Sequence, residues 1–227
     1  KAGPDDKISD KEDLVAQEKA ASDSKQNTLT ASYAKQFLTE YLLLKQQKGE
    51  LTEGDKKSLV DKVMNNIKPL TATDEYTISD LKISDDTGKE AVKKYAEWMK
   101  SIFVDSKNTL PNESEIFNIL LKNIEEENIK NTELSIKVLN DYAILNEKLV
   151  EIMLSPAIPE NLSKNHLEVV NGFNNIILAI ENMTIAQTDP VKAMMGQKLY
   201  DEQMQRIYSA LKNIQEIFNE YEITVFK

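Results

Sequence analysis

The chain has 227 residues, no cysteine, and 28 Lys and Arg against 38 Asp and Glu, a net charge of −10. Those totals exclude disulfides, thiolate metal sites and cysteine nucleophiles. They also set the surface against general nucleic-acid binding, which needs cations to displace phosphate counterions, and against adhesion to anionic lipid by charge alone.

Residues 1–28 scatter Ile8, Leu14 and Val15 among charges, too little apolar surface to offset ordering entropy, and are expected to form a flexible polar leader or tether. The start at Lys1 without methionine reads as a processed product whose upstream signal or anchor has been removed. A folded domain is expected over residues 29–227. From Leu29 to Gln47, Tyr33, Phe37, Tyr41 and Leu44 make one helical stripe, which Lys48 and Gly49 end. Thr52 and Asp55 have the spacing of a capping box for a second helix, with Leu59, Val60, Val63, Met64 and Ile67 inward and Pro69 as its stop.

The period changes at Tyr76–Ser84, where Tyr76, Ile78, Leu81 and Ile83 suit an extended segment. Residues 221–226 alternate similarly, so a minor two-stranded patch near 76–83 and 221–226 is expected. Thr87 and Glu90 box the start of a helix presenting Ala91, Tyr95, Trp98 and Ile102. Asn112 caps another, with Ile116, Phe117, Ile119, Leu120 and Ile124, ending in the acidic run Glu125–Glu127. Thr132 then opens a longer helix, with Leu134, Val138, Tyr142, Leu145, Leu149 and Ile152 expected inward.

Two long helices organise the rest. The seam Leu162, His166, Val169, Phe173, Ile176, Ile180, Met183 steps by four and three without a break. Ala193, Gln197, Tyr200, Met204, Ile207, Leu211, Ile214, Phe218 and Tyr221 do the same, after an Asp189-Pro190 start signal. The expected fold is all-α: one bundle of about seven mostly antiparallel helices.

Candidate chemistry is sparse. His166 is the lone histidine and sits on a seam, which suits either a pH-sensitive group or a hydrogen-bonded packing residue. A lone histidine cannot supply paired Glu-x-x-His or H-E-x-x-H metal motifs. The acids around Gly88 miss the calcium-loop register, and no phosphate-cradling glycine loop or nucleophile elbow occurs. No cofactor, no metal site and no catalytic residue are therefore expected. Two features suit recognition. Met194 and Met195, beside Gly196, are adaptable apolar contacts, and the elbow Ser155–Pro159 either presents Ile158 outward or buries it in turning the chain. Trp98 adds an aromatic surface.

Four stretches carry a resemblance: Tyr76–Ile83, Lys93–Tyr95 ahead of Trp98, Pro159 through His166, Leu167 and Glu168, and Asp189–Ala193 leading to Tyr200. On these the chain resembles a loose group of uncharacterised exported or membrane-anchored helical proteins of ultra-small candidate-phyla bacteria. The resemblance implies a helical region outside the cytoplasmic membrane behind an N-terminal anchor that this chain lacks, and no assigned activity. The expected function is an envelope-tethered interaction or scaffold domain, not an enzyme, whose partner is another envelope protein. The alternative is a binder of a small apolar or peptide ligand in an inter-helix groove.

Overall fold

The computed structural model describes residues 28–66, 68–103 and 112–224, so the leader expected over 1–28 lies almost wholly outside the described residues. Seven helices and one two-stranded sheet are present among them, an all-α architecture with a minor β patch. They divide into two compact units, one reaching Pro69 and including Gln187–Lys192, the other comprising Leu70–Ala186 and Ala193 onward.

In the first unit α1 (Leu29–Lys48) and α2 (Glu53–Asn65) form a hairpin. Gly49 ends α1 at φ 80°, a conformation that costs a residue bearing a Cβ, and donates to Lys45 O. The Thr52–Asp55 box forms as the spacing predicts: Asp55 N donates to Thr52 Oγ1 at 3.2 Å and Thr52 N to Asp55 Oδ2 at 3.1 Å. Bonding to Lys48, then to Thr52, draws the Asp55 carboxyl down to about 2. Leu59 and Val63 are buried, whereas Val60 stays exposed. Asp189 ties the remaining segment in. It accepts from Leu29 N at 2.8 Å, Thr30 N at 3.0 Å and Lys192 N at 3.2 Å, so one carboxylate serves two helix starts. Burial raises its pKa, but a bond from the Thr30 hydroxyl at 2.7 Å together with these backbone bonds outweighs that and holds it below the ordinary value.

The second unit holds α3 (Lys89–Phe103), α4 (Glu113–Glu125), α5 (Ile129–Met153), α6 (Glu160–Thr184) and most of α7 (Pro190–Glu220). Both long seams behave as the sequence predicts, with Leu162, His166, Val169, Ile176, Ile180 and Met183 buried on α6 and Ala193, Tyr200, Ile207, Ile214 and Phe218 on α7. Two glycines set the close approach of this pair. A Cβ at Gly172 would lie 2.5 Å from Ile207 Cγ1, and one at Gly196 2.7 Å from Ala179 O. Residues 172 with 207 and 179 with 196 run in opposite senses, so the two helices are antiparallel.

The two-stranded patch has a different second strand from the one expected. β1 (Lys82–Ser84) pairs in parallel with β2 (Ala157–Pro159), with Ile83 beside Ile158. Tyr221 still reaches this region, since its Oη donates to Thr87 O at 2.9 Å, but residues 221–224 carry no strand, and residues 225–226 of the expected strand lie outside the described residues. The segment ahead of β1 is strapped to α6 by asparagines. Asn171 accepts from Tyr76 N at 3.0 Å and donates to Tyr76 O at 2.9 Å, and Asn175 donates to Asp74 at 3.0 Å. Arg206 of α7 completes the strap, with two bonds to Asp74 at 2.6 and 2.7 Å and a third to Glu168 at 2.7 Å.

The sequence reading of α5 needs two corrections. The helix starts at Ile129, capped by Asn128, and Thr132 lies buried within it. Its buried side is Thr132, Ser135, Leu139, Ala143, Asn146, Val150 and Met153. Leu134, Leu145 and Ile152, expected inward, are 59%, 52% and 48% exposed. Apolar residues cover at least half the circumference of α5, and packing buries the side on which Leu139, Val150 and Met153 alternate with small and hydrogen-bonding side chains. Ser135 there takes a bond from Asn123 at 3.2 Å, and Asn146 donates to Tyr142 O at 2.9 Å.

Candidate functional site

Three places in the second unit are candidates. The first is a groove of about 330 Å³ where α3 meets the β pair, walled by Tyr95, Trp98, Pro156, Ala157 and Pro159, with Asp86 and Lys94 also lining it. The elbow forms one wall because Pro156 and Pro159 hold the chain extended as it enters α6. Trp98 is half-buried, its ring 5.6 Å from Tyr95 and 5.8 Å from His166.

His166 lies behind that wall, fully buried. Its Nε2 is 2.9 Å from Met153 O, and its Nδ1 is 2.9 Å from Tyr95 Oη. A carbonyl can only accept, so Nε2 carries the proton and Nδ1 accepts from the tyrosine hydroxyl. Burial pushes the imidazole down to about 4, against the opposing pull of the Met153 carbonyl, and burial likewise raises the Tyr95 phenol. Met153 is the last residue of α5, so the ring satisfies a helix-end carbonyl that has no partner within its own helix. This is a packing and capping role, one of the two readings the sequence allowed.

The second candidate is a polar hollow of about 480 Å³ between α6 and α7, lined by Lys164, Asn165, Glu168, Arg206 and Asn213. Arg206 is committed there to Asp74 and Glu168; its bonds to Asp74 are the largest influence raising its pKa. Elsewhere Tyr200 donates to Glu113 at 3.0 Å, and burial followed by that carboxylate's charge raises its phenol. His166 and Tyr95 adjoin the first groove, Arg206 lines the hollow, and Tyr200 lines neither. The strongly shifted groups thus share no single cleft. Among the described residues no group of three or more His, Asp or Glu is placed to hold a metal ion. Nor is any helix among them long and apolar enough to cross a membrane.

The third candidate is the outer face of α5. At about 100° per residue, Leu134, Leu145 and Ile152 fall within about 20° of one line along the helix, some 130° from the centre of its buried side. Ile144, 47% exposed, lies about 80–100° around the helix from them, beyond Lys137, Asp141 and Lys148. The stripe is about 27 Å long. Sequence reasoning missed it because it took these same residues for core; the signal that could have exposed the error is the second, small-residue stripe through Ser135, Ala143 and Asn146.

The residues picked from sequence separate. Trp98 and His166 come together at the first groove. Ile158 is fully buried and does not face outward: β pairing with Ile83 turns it into the core. Met194 is exposed and Met195 half-buried near the start of α7, away from the groove lining, while Gly196 between helices explains the local sequence by packing. Comparison with protein-family models, with curated proteins and with solved structures gave no match.

Proposed function

We propose that this protein is an all-helical interaction domain, tethered outside the cytoplasmic membrane, that works through a helix face and not through a reactive site. One observation carries the reading. α5 buries Thr132, Ser135 and Asn146 while leaving Leu134, Ile144, Leu145 and Ile152 exposed. An apolar line of Leu134, Leu145 and Ile152, interrupted by exposed Asp141 and Lys148, is a surface that a helical protein partner of mixed apolar and charged character covers by docking its own seam along it. The extracytoplasmic setting is supported by the resemblance and by the polar composition of residues 1–28. The test is a paired capture from envelope extract of the native organism, with the unaltered chain and the Leu145→Asp/Ile152→Asp double variant as baits. Both positions are about half exposed, so the variant keeps its helical circular dichroism and melting temperature. It is expected to lose the partners that the unaltered chain retains; equal recovery by both baits contradicts the reading.

A second reading has its own support. The groove beside Trp98 falls at the lower end of the roughly 300–1,000 Å³ of small-molecule sites, and aromatic and proline walls suit an apolar or extended peptide ligand. Trp98 is the sole tryptophan, so its emission reports occupancy of that groove directly.

A further inference from the structure

Resting on the interaction reading, we infer that the partner covering the outer stripe of α5 is a second copy of this chain, with the two α5 helices antiparallel.

The stripe has the spacing of a coiled-coil seam: Leu134, Val138, Asp141, Leu145, Lys148 and Ile152 alternate steps of four and three. Reversing a second α5 so that Leu134 meets Ile152 of the other copy also sets Val138 against Lys148 and Asp141 against Leu145. Every layer then pairs an apolar residue with an apolar or singly charged one. The same register brings Lys137 beside Glu151 of the second copy, twice by symmetry, and puts Ile144 against its own counterpart at the two-fold axis. These are the residues that flank an antiparallel seam on its outer side. So in one register Leu134 meets Ile152, Ile144 meets its own counterpart and Lys137 meets Glu151, while Asp141 and Lys148 each face an apolar residue, Leu145 and Val138. Lys137 already bonds Asp141 at 2.7 Å within its own helix, and an ammonium with three donors holds a second carboxylate as well.

The parallel alternative fails on charge. In register, it would set Asp141 against Asp141 and Lys148 against Lys148 in successive layers. A polar residue on a seam specifies orientation at a cost in stability, so Asp141 and Lys148 select the reversed pairing and keep it weak enough to exchange.

Sedimentation velocity on the full chain tests this, at physiological ionic strength and from micromolar to millimolar concentration. The unaltered chain is expected to dimerise. Lys137→Glu and Glu151→Lys each place like charges at both symmetric contacts and are expected to weaken self-association about tenfold. An equimolar mixture of the two restores opposite charges at both contacts and is expected to return to the affinity of the unaltered chain. A monomer throughout overturns the inference, as does a mixture that fails to recover. Should the chain stay monomeric while Leu145→Asp/Ile152→Asp still abolishes capture of an envelope protein, self-association is refuted and the interaction reading stands. Should capture also be unaffected, both fall.

Discussion

At the scale of single residues, His166 shows how position decides chemistry. A lone histidine on a helical seam invites a proton-transfer role, yet its two nitrogens are occupied by Met153 O and Tyr95 Oη in a site without solvent contact. The sign of its linkage follows. Its folded pKa lies near 4, below the ordinary 6.5, so the unfolded chain takes up a proton first as pH falls. Its contribution to stability is whole above about pH 6.5 and is lost between there and about 4, at up to roughly 1.4 kcal/mol per pH unit. Being the sole histidine, it gives one set of imidazole resonances, and ¹H–¹⁵N spectra are expected to show the Nε2–H tautomer with no titration from pH 8 to 5. A midpoint near 6.5 would contradict burial and make His166 a solvent-linked group.

Single elements carry the next layer. The strap over residues 74–76 is held by Asn171, which pairs with both backbone groups of Tyr76 as a neighbouring strand would. Asn171→Ala leaves those groups without partners under a buried helix face and is expected to cost about 2 kcal/mol, read as a lower urea midpoint at unchanged slope. A loss below about 0.5 kcal/mol would mean that the strap contributes nothing to the fold. The elements also show what was legible in the chain. The seams of α6 and α7 were readable because their steps run unbroken from Leu162 to Met183 and from Ala193 to Tyr221; α7 buries that one face, whereas α6 is buried well beyond its seam, at Asn171, Asn175 and Asn182 as well. The Thr52–Asp55 box and the Asp189 cap are local and depend on three-residue spacing, so they too were readable. β2 was not, because three residues that follow one proline and end on another hold no period. The face of α5 was misread for a different reason. Its apolar arc spans at least half the helix, and only tertiary packing against α4 and α6 chooses Ser135, Ala143 and Asn146 over Leu134, Leu145 and Ile152 as core. The strap was invisible as well, since asparagines on a helix give no sign of the backbone they will bind 95 residues away.

For the whole molecule, the account rests on α5 being a helix with two working faces, one inside its own unit and one for a second chain. Net charge of −10 opposes association at low ionic strength, so the pairing belongs to conditions where screening limits that repulsion. The chain contains no cysteine, so Lys130→Cys accepts a single spin label at the exposed N-terminal end of α5. The measurement to make is the label–label distance in that variant by pulsed dipolar spectroscopy at a concentration that favours the dimer. Antiparallel α5 helices in the register derived from Leu134 and Ile152 place the two labels about 40 Å apart, from twice the helical rise to the two-fold axis. A separation under about 20 Å would mean parallel helices, and no dipolar modulation above background would mean that no second copy covers this face.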